Sequence, residues 1–111
     1  MAKKSDAIVV LTTCKSKSEA QRIVTALVEK HLAACGNILE WRVTSIYRWK
    51  GKIERVNEHL VILKSTRKAF AALESEVTRL HSYDVPEIIA MPVFAGSAQY
   101  LKWVAESVTA P

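Results

Sequence analysis

The side chains of this sequence that could bind a metal ion are two cysteines and three histidines. They are Cys14, Cys35, His31, His59 and His81. Thiolate and imidazole are ligands that suit copper, and the soft thiolate suits Cu(I) in particular. There is no C-x-x-C pair, which excludes the two-cysteine loop of a copper chaperone. Metal binding therefore depends on which of these five residues the fold brings together.

The sequence around each candidate separates possible ligands from structural residues. Cys14 follows the first predicted strand and precedes a helix, where backbone amides are expected to lower the pKa of a thiol. Cys35 lies in an apolar segment that is typical of a buried structural cysteine. His31 falls on the inner edge of the helix and is expected to be packed or half exposed. His59 begins a strand and has no evident partner.

The elements that position these residues follow from hydrophobic periodicity. Residues 8–11 form an unbroken apolar run, typical of a strand buried on both faces. Residues 16–19 read S-x-x-E, a capping box in which the glutamate reaches back to the cap, and apolar residues then recur at helical spacing. Residues 35–49 are predicted to be extended, with alternation from Arg42. A turn at 50–52 leads to the apolar strand 58–64, and the two strands should form a hairpin.

The remaining pattern predicts a helix from about Arg67 to Leu80, a strand over 87–91 that Pro92 restricts to an edge, and a helix after Gly96. The order β-α-β-β-α-β with a terminal helix indicates an α+β, ferredoxin-like sandwich: a four-stranded sheet with two helices on one face and the first and third strands central. The 111 residues suit a single domain, 1–111, in which 1–6 is expected to be a flexible tail.

Composition excludes several classes of function. No apolar run approaches the roughly 20 residues of a membrane helix, and the start of the chain does not resemble a signal peptide, so the expected location is the cytoplasm. The net charge of +5 comes from scattered groups. The predicted central strands lack the aromatic residues of an RNA-recognition sheet, which argues against nucleic-acid binding. With three glycines and no phosphate-binding loop, the sequence also argues against a phosphatase of ferredoxin-like fold.

Aromatic residues on an edge strand predict self-association. Tyr47 and Trp49 share one face of the second strand, and an unpaired edge carrying exposed rings would favour aggregation in an isolated monomer. The alternative is that the C-terminal helix folds back over the two rings.

Several segments resemble the CutA family of divalent-cation tolerance proteins. Residues 45–54, SIYRWKGKIE, resemble the family signature most closely, and the similarity continues in 32–38, 63–66, 81–89 and 100–103. It extends from about residue 7 to 108. The resemblance implies a ferredoxin-like subunit in a homotrimer with sheets packed together, and association with copper or another divalent cation. The resemblance implies no reaction, so the chain is expected not to be an enzyme. The similarity of the trimer to nitrogen-regulatory signalling proteins suggests sensing in the clefts between subunits.

The resemblance also implies two sets of site residues. It implies Cys14 and His81 as metal ligands. Some members carry the thiol at the position of Thr12 and a second histidine at that of Leu80. The alternative is that Cys14 and His81 are a chemically idle pair. For the intersubunit cleft, the residues in family motifs are Trp49, Lys64, Tyr83 and Glu87. A lysine beside a glutamate could hold a small anionic metabolite, which gives the alternative function of a sensor trimer, or could form an ion pair that seals the interface. One extra residue near Glu40-Trp41-Arg42 is expected to cause a bulge.

Overall fold

Five strands and three helices account for most of residues 5–109, the part of the chain that the computed structural model describes. In chain order they are β1 (Ala7–Cys14), α1 (Lys17–Glu29), β2 (Cys35–Ile38), β3 (Val43–Trp49), β4 (Lys52–Thr66), α2 (Phe70–Leu80), β5 (Ile89–Pro92) and α3 (Ala98–Ser107). Most of the predicted tail 1–6 lies outside the described residues, while the Asp6 carbonyl accepts a hydrogen bond from the Arg67 amide at 2.9 Å.

The sheet is antiparallel, and the two strands with apolar runs lie at its centre, as predicted. Its order is β2-β4-β1-β5, with β3 paired to the first half of the long strand β4. Val10 of β1 lies opposite Leu63 of β4, and both side chains are completely buried. This arrangement confirms the α+β, ferredoxin-like prediction.

The core lies between one face of this sheet and the helices α1 and α2. Ile23 and Leu27 of α1 meet Leu73 and Val77 of α2 there, and all four side chains are fully buried. Complete burial of such a side chain contributes about 1.5–3 kcal/mol. The register that places these residues inward also places Cys14, the last residue of β1, in the same cluster.

Helix α3 does not cover the aromatic residues of the edge strand. Its Val104 packs with Ala7 and Ala34 in a separate small cluster, while Tyr47 is 42% and Trp49 43% exposed. The alternative in which the C-terminal helix folds over those rings is therefore wrong for this chain. No helix within residues 5–109 is long and apolar enough to cross a membrane.

The predicted extended stretch 35–49 is interrupted between β2 and β3. Ile38 lies opposite Val61 and Val43 lies opposite Glu58, so four residues, 39–42, occupy the length of two residues of β4. The break falls where the bulge was expected, and it contains two extra residues relative to β4. Beyond it the predicted hairpin forms: Lys50 and Gly51 both have positive φ, as a two-residue type I′ turn requires.

Candidate functional site

The structure brings Cys14 and His81 together, although 67 residues separate them along the chain. Cys14 ends β1, and His81 follows α2, where its backbone amide bonds the Val77 carbonyl at 2.8 Å. The distance from Cys14 Sγ to His81 Nε2 is 3.9 Å, and both residues are buried. The two side chains that the resemblance implied as ligands are therefore neighbours.

Backbone groups fix the orientation of the His81 ring. Its Nε2 lies 2.8 Å from the Thr13 carbonyl oxygen, and its Nδ1 lies 3.2 Å from the Tyr83 backbone nitrogen. Since an amide only donates and a carbonyl only accepts, the contacts assign a neutral ring with the proton on Nε2. A metal ion bound at Nε2, the nitrogen that faces Cys14, would therefore have to replace this proton and its bond to the Thr13 carbonyl.

A third polar group, the carboxylate of Glu19, lies beside this pair. Its Oε1 is 3.9 Å from His81 Nδ1, and the side chain is only 3% exposed. One ligand atom from each of Cys14, Glu19 and His81 can be chosen so that all three lie within 4.8 Å of one another. Sequence reasoning missed Glu19 because the S-x-x-E pattern assigned it to the helix cap.

The cap of α1 forms only in part. The Ser16 hydroxyl accepts a hydrogen bond from the Glu19 amide at 3.1 Å, as a cap should. The predicted reciprocal bond is not made, since neither carboxylate oxygen of Glu19 has a hydrogen-bond partner among residues 5–109. A signal for this was available, because Glu19 precedes Ile23 by four residues and so shares its buried face of the helix.

The Cys14 thiol is not activated, contrary to the expectation from its position before a helix. Burial, followed by the negative charges of Glu19 and Glu58, raises its pKa from 9.0 to about 12. The order thiol, imidazole, carboxylate resembles a cysteine-hydrolase triad, but His81 Nδ1 accepts a bond from Tyr83 instead of donating to Glu19. The arrangement provides a neutral, buried thiol, whose proton a metal ion could replace.

A cavity of about 670 Å³ opens between strand β3 and the segment after His81. Trp49, Tyr83 and Glu87, three of the four residues predicted for a cleft, line it. The Tyr83 hydroxyl donates to Glu58 Oε2 at 2.7 Å, and burial, together with this bond, raises the pKa of the tyrosine. This bond ties the segment after His81 to β4.

The fourth predicted cleft residue, Lys64, does not line this cavity. It is paired with Cys35 across the sheet, and its amine donates to Asn37 Oδ1. No ion pair joins Lys64 to Glu87 within the described range, and the charged residues that line the cavity are the acidic Glu58, Asp84 and Glu87. The cavity of a single chain therefore favours a cation over an anionic metabolite.

The other candidate ligands do not converge with Cys14. Cys35 is half buried, with Sγ 3.6 Å from the Tyr100 hydroxyl. His31 Nδ1 lies 3.4 Å from the Ser107 carbonyl, and His59 Nδ1 lies 3.0 Å from the Leu39 carbonyl. Both cysteines are free thiols.

Comparison with known proteins identifies the family. A family model described as the CutA1 divalent ion tolerance protein matches residues 8–107. The chain belongs to the CutA1 family. It is similar to the divalent-cation tolerance protein CutA of Thermus thermophilus, with 46% identity over 99 residues that cover 89% of this chain and 95% of that protein.

Further relatives extend this similarity. A solved structure of the divalent cation tolerance protein from Thermus thermophilus superimposes with a TM-score of 0.90 at 45% identity, covering 93% of this chain and 99% of that one. Protein CutA of Homo sapiens is 46% identical over 92 residues, which are 83% of this chain and 51% of the human protein. This CutA1-family chain thus spans about half the length of its human relative.

Proposed function

We propose that this chain is a non-enzymatic, cytoplasmic homotrimer that binds a divalent metal ion, with copper as the first candidate, and contributes to metal-ion tolerance. The observation that carries the proposal is the buried approach of Cys14 Sγ to His81 Nε2 at 3.9 Å. One thiolate and one imidazole are ligands that suit copper. The name of the Thermus relative, a divalent-cation tolerance protein, supports the same conclusion.

The separation of the two ligands is compatible with a shared metal ion. Metal–sulfur and metal–nitrogen bonds of about 2.3 and 2.0 Å at a tetrahedral angle hold their donor atoms about 3.5 Å apart. The observed 3.9 Å needs to close by only a few tenths of an ångström. The ion would replace the Cys14 proton and give the buried thiolate a positive partner.

Exposed apolar side chains support self-association. The hairpin of β3 and β4 presents Ile46, Tyr47, Trp49 and Ile53 to solvent, and each is at least 42% exposed. A protein of this size does not usually leave several large apolar side chains uncovered on one element. Light scattering coupled to size-exclusion chromatography should give three times the chain mass of 12.4 kDa, and a monomer at micromolar concentration would contradict the trimer.

The metal proposal is tested by metal stoichiometry. Metal-free protein is loaded anaerobically with Cu(I) and separately with Cu²⁺, passed over a desalting column and analysed for copper per chain. Cys14→Ser and His81→Gln are expected to lose bound copper, whereas the matched variants Cys35→Ser and His31→Gln retain it. Equal retention in all four variants would show that Cys14 and His81 are not the ligands.

A further inference from the structure

We propose that Glu19 is a third ligand of the Cys14–His81 site, and that its carboxylate makes the site selective for divalent cations of the Zn²⁺, Co²⁺ and Cu²⁺ class over Cu(I). This inference rests on the proposed metal-binding function and adds to it the residue that determines which ions bind. The first observation is that the side chain of Glu19 is 3% exposed, with both carboxylate oxygens lacking a hydrogen bond among the described residues. A buried charge in that state is destabilising unless something pairs with it.

The protein itself pairs this carboxylate poorly. The nearest cationic group is Arg22, whose Nη2 lies 3.9 Å from Oε2, beyond hydrogen-bond distance, and whose side chain is 59% exposed. Because the guanidinium lies largely in solvent and at that distance, it pairs only weakly with the buried carboxylate. The first turn of α1 favours a negative charge. However, the backbone amide of Glu19 donates to the Ser16 hydroxyl and is not available to the carboxylate.

The carboxylate faces the metal-binding pair. Its Oε1 lies 3.9 Å from His81 Nδ1. Because Nδ1 accepts a hydrogen bond from the Tyr83 amide, Nδ1 and Oε1 are two acceptors that face each other without a proton between them. The ligand atoms of Glu19, Cys14 and His81 lie within 4.8 Å of one another. A cation among them would interact favourably with the thiolate and the carboxylate, and it would bind the imidazole once one ring nitrogen gives up its backbone hydrogen bond. An inward movement of about 1 Å would then reach tetrahedral separations.

The donor set determines the class of ion. A thiolate and a carboxylate together carry two negative charges, which match a dication, and the imidazole adds a neutral nitrogen. Cu(I) prefers soft ligands and gains little from a carboxylate oxygen, while Mg²⁺ and Ca²⁺ prefer oxygen sites. Three protein ligands leave a fourth tetrahedral position open to water or another ligand.

The experiment compares Zn²⁺ and Cu(I) affinities of metal-free wild type, Glu19→Gln and Cys14→Ser by competition with chromophoric chelators under anaerobic conditions. Glu29→Gln, an exposed glutamate of the same helix, is the matched control. We expect Glu19→Gln to weaken Zn²⁺ binding at least about tenfold, as loss of metal-site partners does, with Cu(I) affinity changed less than about threefold. The Co²⁺ complex should keep its thiolate charge-transfer band while its d–d bands shift.

The outcomes separate this inference from the proposed function. If Cys14→Ser loses metal but Glu19→Gln binds Zn²⁺ like the wild type, Glu19 is not a ligand and the Cys14–His81 proposal stands. If Glu19→Gln weakens Cu(I) as much as Zn²⁺, the selectivity is wrong. If Cys14→Ser retains both ions at wild-type affinity, the proposed function fails, and the inference fails with it.

A measurement without metal gives a second test. In the presence of a chelator, Glu19→Gln should unfold at a higher temperature than the wild type, because it removes an unpaired buried charge. Glu29→Gln, which removes an exposed charge at the end of α1, should raise the unfolding temperature by less. Added Zn²⁺ should raise the unfolding temperature of Glu19→Gln less than that of the wild type. A lower unfolding temperature of metal-free Glu19→Gln would show that the carboxylate stabilises the fold, and would overturn its assignment as a ligand.

Discussion

The state of the Cys14 thiol can be tested by its reactivity. In a Cys35→Ser variant, Cys14 is the single thiol, completely buried and with a pKa of about 12. Disulfide exchange requires the thiolate, so both features slow the reaction of Cys14 with a chromogenic aromatic disulfide. We therefore predict that the native, metal-free variant reacts far more slowly than an exposed thiol.

The size of the effect follows from the pKa. At pH 8, a thiol of pKa 9.0 is about one-tenth ionised, while one of pKa about 12 is ionised to about one part in ten thousand. The more basic thiolate is intrinsically more nucleophilic, by about twentyfold over this interval. The net reduction is about fiftyfold before burial is considered, and complete burial of the side chain slows the reaction further. The rate should also rise nearly tenfold per pH unit up to about pH 10.

The assay follows release of the coloured leaving group between about pH 7 and 10 with a chelator present. The same variant in concentrated urea is the control, because the unfolded thiol should react at the rate of a free cysteine. A native rate within about tenfold of that control at pH 8 would show that Cys14 has neither a raised pKa nor a shielded thiol. A rate that does not change between pH 8 and 10 would show that Cys14 is already a thiolate. The electrostatic interpretation of the site would then be wrong.

Two further predictions concern the contacts that support the site and the helices. Tyr83→Phe should lower the free energy of unfolding by about 1.5–3 kcal/mol, measured in urea at pH 7, because buried Glu58 loses a charge-assisted hydrogen bond; an unchanged midpoint would contradict this. Hydrogen bonds from Arg79 and Lys30 lower the pKa of Glu76 from 4.5 to about 2, so the stabilisation is present above pH 4.5 and is lost as pH falls towards 2. Glu76→Gln should therefore be less stable than the wild type at pH 7, by only about 1–2 kcal/mol because Lys30 and Arg79 are both about half exposed to solvent. The difference should disappear near pH 2, and a constant difference across this range would refute the reasoning.

The central sheet could be predicted because its signal is local. An unbroken apolar run indicates a strand buried on both faces, and Val10 and Leu63, taken from two such runs, lie opposite each other with no exposed surface. The interruption at 39–42 could not be predicted in the same way. It depends on register against β4, a strand of 15 residues that pairs with two separate strands, and alternation within one segment does not determine register.

The approach of Cys14 to His81 could be expected only through the family resemblance. Nothing in the local sequence indicates that Cys14 and His81, 67 positions apart, meet at 3.9 Å. The position of Cys14 before a helix predicts a lowered pKa, and this prediction was wrong. Burial and the charges of Glu19 and Glu58, which the local sequence does not show, raise the pKa. Lys64 does not line the cavity of the single chain because its sheet register places it beside Asn37.

Glu19 shows how one residue can satisfy two sequence patterns that predict different roles. As the last residue of S-x-x-E it fits a capping box, and as the fourth residue before Ile23 it fits the buried face of α1. Only the tertiary structure decides between these patterns, because it places His81 and Cys14 opposite the carboxylate. The capping box alone would give a hydrogen-bonded carboxylate, whereas the observed one is buried and lacks a hydrogen bond among the residues that the structure describes. The same negative charge raises the pKa of the Cys14 thiol, so without metal the site disfavours a thiolate, and a bound dication would stabilise both anions at once.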